Sequence, residues 1–347
     1  MHPFLPTGLL GCQSADGLQL QSLSQASEFK DFRVKPNERP FYRHVNKLPF
    51  ILYPIKETVG ETWHKISLLV QLSLGGVELP NEKEFAGARR QAGIDKTTVF
   101  ERMQCLARCF AECRGADGDA TGVKLGLELS RALGAGSWEG RPTQLLQVPG
   151  IGPAGMRKLV SQGVRTVLGL ADKSDADIER LLSHKPPYGR TTNQTLAKFP
   201  RLTLEMAVMG QKHLHRGDHP AIEVNIKATL GCTNSNGGWW TTTAQGTPIP
   251  PRITFFAETT GRVLVFFWNG TMKKLDKRGA HDLSFSAVLV GGEDVRGHFS
   301  CESVVGTTVA RDLRFHNPLP APEYHSTPDD EMTVGVEYPG ELPKRTG

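Results

Sequence analysis

The chain has 347 residues, of which 38% are hydrophobic and 7% aromatic, and its net charge is +5. That length suggests about two domains with real cores, and six cysteines are too few to make a disulfide scaffold of it. No apolar run approaches the ~18 residues of a membrane helix, and residues 1–10 lack the basic start of a signal peptide, so we expect a soluble cytosolic or nuclear protein with no membrane partner.

The first predicted elements are an N-terminal segment and a helix. Residues 1–60 carry short apolar clusters that prolines interrupt. Apolar side chains then recur at helical spacing from Thr62 to Leu74, and Gly75 and Gly76 would end that helix.

Two further helices are predicted before residue 140, giving a helical bundle over residues 61–140. One would run from Asp95, as its N-cap, to Cys113, and the other from Asp119 to Leu133. The first of these helices carries a cysteine at every fourth position: Cys105, Cys109 and Cys113. Because no second cysteine pair accompanies them, we interpret them as a small-residue packing face and not as a zinc site.

Three other patterns carry little functional weight. Residues 117–128 match a calcium loop on paper, but Lys124 occupies a position that is normally apolar, so Asp119 is better interpreted as an ordinary N-cap. For the histidines at 213, 215 and 219 a surface loop is favoured over a metal site. Trp239 and Trp240 could stack a base, although such a pair more often pins a loop to a sheet. No metal site is predicted.

The clearest motif is residues 148–159, Val-Pro-Gly-Ile-Gly-Pro-Ala-Gly-Met-Arg-Lys-Leu, with helix signals on both sides. A Gly-hydrophobic-Gly turn between short helices is typical of a helix-hairpin-helix, whose turn amides and following helix N-terminus can cradle a phosphate. The predicted nucleic-acid-binding residues are Gly150, Ile151, Gly152, Arg157 and Lys158. Such a module would hold the backbone without reading sequence; the alternative is a purely structural hairpin.

The charge distribution supports a nucleic-acid contact at this hairpin. Residues 141–200, a predicted helical segment that includes the hairpin, hold nine basic and four acidic residues, so this window alone accounts for the whole surplus of +5. A local basic surplus favours an anionic partner.

After residue 200 the apolar spacing changes to every second position. Alternation over 224–228 and 283–289, and a run over 263–267 that is apolar on both sides, predict strands. The turn signals are Gly261, Asn269-Gly270 and Gly291-Gly292. Together they predict an antiparallel β-sandwich of the immunoglobulin or fibronectin type over residues 201–316.

The predicted fold class is therefore α+β and multidomain: a helical bundle with a helix-hairpin-helix, then the sandwich. Residues 317–347 are acidic and proline-rich, and we expect a disordered tail. The chain contains no G-x-x-x-x-G-K-[ST], G-x-S-x-G or H-E-x-x-H motif, and its Asp329-Asp330-Glu331 lies in that tail. We therefore predict no catalytic residue and no cofactor for this chain, which is not expected to be an enzyme on its own.

Four segments, in one order, resemble the Sec-sixty-three homology unit, which follows the motor domains of Ski-two-like superfamily-two helicases. They are Ser27–Arg33 with Asn37-Glu38, His64–Gln71 with Leu74–Gly76, the hairpin Val148–Leu159, and Leu181–Gly189 followed by Phe199-Pro200. The resemblance covers about residues 17–315 and is nearest to the meiotic crossover helicases of the Mer-three type.

This resemblance implies a non-catalytic C-terminal accessory portion of an ATP-dependent 3′–5′ DNA helicase of meiotic recombination, in the nucleus. ATP and magnesium would belong to the motor domains of the full-length family, for which this chain is too short, so we expect either a fragment or a motor-less paralogue. The implied partners are single-stranded or branched DNA, or RNA, the helicase motor domains, and other proteins through the sandwich. The alternative is an interaction or scaffold module of a spliceosomal-type RNA helicase or a translocation-associated protein.

In this family one bundle helix acts as a ratchet on the translocating strand, presenting an arginine and, seven residues later, an aromatic. On the predicted helix 95–113 the resemblance implies Arg102 as that cation, with Arg108 as a second candidate. Cys109 stands where the aromatic is expected, and Phe110 lies ~100° round the helix. The phosphate contact of a ratchet is therefore expected to survive here, while its base stacking is in doubt. The alternative is that Arg102 and Arg108 are ordinary solvated residues.

Overall fold

The computed structural model describes residues 10–76, 80–216, 219–234, 241–242, 248–276, 279–290 and 292–315. The predicted tail and the Trp239-Trp240 pair lie outside these residues. In the part described, the α-helices before the sandwich are α1 (Leu10–Ser24), α2 (Arg39–Val45), α3 (Thr62–Leu74), α4 (Ala86–Ala116), α5 (Ala120–Ala135), α6 (Pro153–Ser161), α7 (Val167–Ala171), α8 (Asp175–Leu182) and α9 (Tyr188–Leu196). None of them has the length and apolar character that a membrane span needs.

The α+β class and the order of elements are confirmed, and α3 has the predicted bounds. Both Ile66 and Leu68 are fully buried on α3, and the chain leaves the helix through Gly76 at φ +61°, a left-handed conformation that favours glycine. The helices α1 and α2 were not predicted, because α2 is short and contains Pro40 in its first turn, while the apolar residues of α1 do not form a clear stripe.

The predicted start of the second helix at Asp95 is wrong, because α4 begins at Ala86 and Asp95 lies inside it. The buried positions of its first turns are the alanines at 88 and 92, which give only a weak helical stripe in the sequence. Asp95 is 8% exposed, and its Oδ2 lies 2.8 Å from Lys65 Nζ. Asp95, which was predicted to be an N-cap, is therefore one member of a buried ion pair.

The third helix was predicted correctly, with Asp119 as its N-cap. The side chain of Asp119 accepts a hydrogen bond from the Gly122 N–H at 2.9 Å, and among the described residues no cluster of His, Cys, Asp or Glu could hold a metal ion. The interpretation of Cys105, Cys109 and Cys113 as a packing face is wrong, because all three are exposed. The face of α4 that packs inward instead carries Val99, Met103 and Ala107.

Within the described residues the strands form two antiparallel sheets, in the orders β1–β2–β7 and β6–β5–β8–β9, with β3 and β4 as a separate pair. Their bounds are β1 (Leu202–Arg216), β2 (His219–Cys232), β3 (Thr241–Thr242), β4 (Pro248–Ile249), β5 (Arg252–Thr259), β6 (Leu264–Thr271), β7 (Ala280–Val290), β8 (Val295–Cys301) and β9 (Val309–Leu313). A short helix, α10 (Lys273–Asp276), joins β6 to β7. The hairpin segment shares one continuous apolar core with the sandwich, in which Leu145 and Val148 join Phe255 and Phe299.

Two predictions about loops were wrong. Asn269-Gly270 lies inside β6 and makes no turn. A Cβ at position 270 would come within 2.6 Å of the Trp268 ring. Glycine at this position therefore leaves room for the Trp268 side chain on the same strand, and it does not form a turn. The histidines at 213 and 215 lie on β1, and His219 begins β2, so they belong to a β-hairpin and not to a surface loop.

Candidate nucleic-acid interface

The helix-hairpin-helix turn presents its two glycines at the surface. Gly150 has φ +88°, a conformation that favours glycine, and Gly152 is the N-cap of α6 in extended backbone; both are exposed. Ile151 between them is 4% exposed, and its N–H donates to Val148 O at 3.0 Å. Ile151 therefore anchors the turn in the core, while the glycines leave the main chain open to close approach.

Arg157 and Lys158 lie on α6 with exposed side chains. Lys158 Nζ donates to Leu182 O at 3.2 Å, which holds the ammonium group against the end of α8. The first helix of the predicted hairpin is a 3-10 helix, Pro142–Gln147, and the second is α6. On α6, Arg157 lies at the middle of the helix and Lys158 in its last turn. The N-terminus of the helix follows the open turn, where an anion is favoured by the helix dipole and by the free N–H groups of a first helical turn.

The segment after α8 braces the turn, a contact that the sequence did not reveal. Tyr188 OH donates to Gly150 O at 2.9 Å. Gly189 makes this possible because a Cβ there would lie 2.0 Å from Asp175 O, so only glycine allows α9 to start this close to α8. The Gly189 N–H also donates to Glu179 Oε1 at 3.0 Å. The sequence signal was the His-Lys-Pro-Pro-Tyr-Gly string, but only the fold shows that it touches Gly150.

One side of the turn opens onto a cleft of about 360 Å³ between the hairpin and the bundle. Gly152 and Pro153 line it from the hairpin, and Leu69, Leu72 and Gly93 are among its residues from the bundle. The cation at this cleft is Lys96 of α4, which is exposed and lies 5.5 Å from the centre of the Phe100 ring. Lys96 was not among the predicted site residues.

The two predicted ratchet arginines do not meet at the hairpin. Arg102 donates to the main-chain oxygen of Glu28, and its guanidinium lies 5.3 Å from the centre of the Phe32 ring. Arg108 Nε donates to Glu302 Oε2 at 3.0 Å, which attaches α4 to the sandwich. Both guanidinium groups are engaged within the chain, so their contact with nucleic acid stays a prediction.

Two of the segments that carry the family resemblance meet in the bundle core. Lys65 Nζ lies 3.0 Å from Glu38 Oε1, and the two side chains are 2% and 1% exposed. Lys65 also pairs with Asp95, and its Nζ lies 5.9 Å from the centre of the Tyr42 ring. Burial, together with the charges of Glu38 and Asp95, raises the pKa of Tyr42 well above its usual range. Because Lys65 and Glu38 are buried in the bundle, they hold its segments together and are not exposed to a ligand.

The family model described as the Sec63 Brl domain matches residues 12–289. The ATP-dependent DNA helicase MER3 of Saccharomyces cerevisiae is 27% identical over 217 residues, which cover 61% of this chain and 18% of that protein. The probable ATP-dependent DNA helicase HFM1 of Xenopus tropicalis is 23% identical over 187 residues, covering 53% of this chain and 13% of that protein. The chain thus spans less than a fifth of the length of these relatives.

Proposed function

Since this chain belongs to the Sec63 Brl domain family, we propose that it is a non-catalytic accessory region of an ATP-dependent DNA helicase and holds the strand's backbone at its helix-hairpin-helix turn. The names of the relatives, MER3 and HFM1 DNA helicases, support DNA over RNA as the partner. As part of the same proposal, the full-length helicase unwinds DNA in the 3′–5′ direction during meiotic recombination, and it acts in the nucleus.

The observation that carries this function is the open turn. Gly150 and Gly152 are exposed, the N-terminus of α6 follows directly, and Arg157 and Lys158 stand on the same helix. These groups are suited to phosphate oxygens and not to base edges, so binding would be independent of sequence. ATP and magnesium would be bound by motor domains, because this chain carries no Walker A motif.

The test is a binding titration of the full chain against a single-stranded oligonucleotide at several salt concentrations. Affinity should fall steeply as the salt concentration rises. The double variant Arg157→Glu, Lys158→Glu should weaken binding by about tenfold or more. It should also lower the salt slope, the dependence of log affinity on log salt concentration, by about one to two. The matched control is Lys273→Glu with Lys274→Glu, a neighbouring pair of exposed lysines on α10 of the sandwich. Binding that ignores salt, or that survives the hairpin variant unchanged, would overturn the proposal.

A second candidate function is protein interaction through the sandwich, as an accessory module of an RNA helicase or a translocation-associated protein. Its support is apolar exposure on the first sheet, where Met209 is 67% and Val208 41% exposed at a bulge of β1. Because the hairpin and the sandwich share a core, the test uses surface variants of the whole chain. If Met209→Asp abolishes association with the helicase motor domains and the hairpin variant leaves both that association and nucleic-acid binding unchanged, this second function is favoured.

A further inference from the structure

His184 and Tyr188 form a stacked pair of rings on the surface of the hairpin segment. Their centroids are 4.1 Å apart and their planes are inclined by 17°. His184 is exposed and Tyr188 half-buried, so Tyr188 supports one face of the imidazole and the histidine lies on the solvent side. An unpaired base can stack on an exposed ring such as that of His184, especially when a second ring supports its other face.

This pair is tied directly to the hairpin turn. The Tyr188 hydroxyl donates to Gly150 O, so the same side chain supports the imidazole and touches the turn. Lys158 Nζ reaches Leu182 O, two residues before His184, and Lys185 is exposed next to it. The rings, the turn and two cations are therefore parts of one surface.

Tyr188 has a structural role, because its hydroxyl donates to Gly150 O and so supports the turn. His184 has no part in that hydrogen bond, which would remain if residue 184 were alanine. Among the described residues the imidazole of His184 makes no hydrogen bond or ion pair, and its ring contact is the stack on Tyr188. Its main-chain N–H closes α8 by donating to Glu179 O, a bond that any residue can make. The exposed ring is thus free to serve a ligand.

We propose that His184, supported by Tyr188, is a stacking platform for an unpaired base of a single DNA strand whose phosphates are held at the hairpin turn. This inference rests on the proposed function and deepens it, because it makes the hairpin selective for single strands. Stacking tolerates any base, so sequence independence is preserved.

The experiment compares binding of the full chain to a short oligothymidylate and to an oligomer of the same length in which every base is absent. Both carry the same phosphates, so the ratio of their affinities reports base contact alone. We expect His184→Ala to reduce that ratio by about fivefold or more, the low end of base–aromatic stacking, with an unchanged salt slope. His184→Phe should keep the ratio, and Tyr188→Phe should keep it while weakening both oligomers equally.

The matched control is His213→Ala, which removes an exposed histidine of β1 and should leave the ratio unchanged. If binding is salt-dependent but His184→Ala has the wild-type ratio, the platform is overturned and the hairpin function stands. If the chain shows no salt-dependent binding to either oligomer, the hairpin function fails and the platform fails with it. Thermal unfolding of each variant shows that a changed ratio is not a loss of fold.

Discussion

One lysine joins three segments of the bundle. Lys65 of α3 contacts Glu38, next to α2, and Asp95 of α4, and its side chain is 2% exposed. Removing charges from water is costly, so such a group is stable only while its partners remain. The buried cation therefore specifies which segments meet more than it adds net stability.

Lys65→Met is expected to destabilise the fold by about 3–5 kcal/mol, because it leaves two buried carboxylates without their cation. Denaturant unfolding measures this loss. The triple variant Lys65→Met, Glu38→Gln, Asp95→Asn should recover part of it, since the uncompensated charges are then gone. Lys56→Ala, at an exposed position, is the control; an equal effect of both single variants would contradict this account of the core.

The five cysteines whose side chains the structure describes divide into two classes of environment. Cys105, Cys109 and Cys113 are exposed on α4, while Cys232 and Cys301 are buried. Partial desolvation and the neighbouring Cys105 thiol raise the pKa of Cys109, and burial raises the pKa of Cys301 to about 12. Because the thiolate is the reactive form, a raised pKa slows alkylation near neutral pH.

Maleimide labelling of the folded chain, mapped by peptide mass, should modify Cys105 and Cys113 first and Cys109 more slowly. The rate at Cys109 should rise with pH as its thiolate fraction grows. Cys301 should react only after unfolding. Rapid native labelling of Cys301, or a Cys109 rate that does not change between about pH 7 and pH 9, would show that these environments are wrongly described.

The contact between helices α8 and α9 depends on the absence of a side chain. Gly189 lies where a Cβ would sit 2.0 Å from Asp175 O and 2.6 Å from its carbonyl carbon. The obstruction is main chain, which cannot turn aside as a flexible side chain can. The position of α9, and with it the Tyr188 contact to Gly150, follows from this one close approach.

Gly189→Ala is expected to cost about 1–3 kcal/mol in unfolding free energy, as overpacking does. By moving Tyr188 away from the turn it should also weaken binding of single-stranded DNA. Gly87→Ala is the matched control, because a Cβ there meets nothing within 4 Å and alanine favours the helix. A fully stable Gly189→Ala protein with normal binding would contradict the close packing of α8 and α9.

The bundle and the sandwich are joined by a buried polar seam. Arg131 of α5 lies 2.9 Å from Glu139 Oε2 and donates to Ser300 Oγ of β8 at 3.1 Å. Glu139 in turn accepts from the Gly306 N–H at 2.8 Å. An apolar contact beside it brings Val123 and Leu127 against Phe256. With the core shared by the hairpin segment and the sandwich, these contacts lead us to expect that the bundle and the sandwich unfold as one cooperative unit.

Calorimetry of the whole chain should therefore show a single unfolding transition. Arg131→Ala is expected to cost about 1–3 kcal/mol, because it removes the donor to the half-buried Glu139 and to the buried Ser300 hydroxyl, and to separate the bundle transition from that of the sandwich. Arg296→Ala removes an exposed ion pair with Asp312 and should have almost no effect. Two transitions in the wild-type chain, or an unchanged profile in Arg131→Ala, would show that the seam does not couple the domains.

Local patterns determined the larger part of the architecture. The bounds of α3, the Asp119 cap of α5, the glycine turn at 150–152 and the β-sandwich after residue 200 were all predicted, because periodicity, capping and backbone freedom act within a few residues. The local basic surplus and the missing motor motifs are also properties of the sequence by itself.

The tertiary structure decided what depends on segments far apart in the chain. Asp95 became a buried ion-pair partner because Lys65 lies opposite it, and Gly270 stayed in a strand because Trp268 covers it. Arg102 and Arg108 form hydrogen bonds with Glu28 and Glu302. The Tyr188 hydroxyl forms a hydrogen bond with the main-chain oxygen of Gly150, 38 residues earlier in the chain. No local pattern encodes such contacts, since they exist only once the core has brought the segments together.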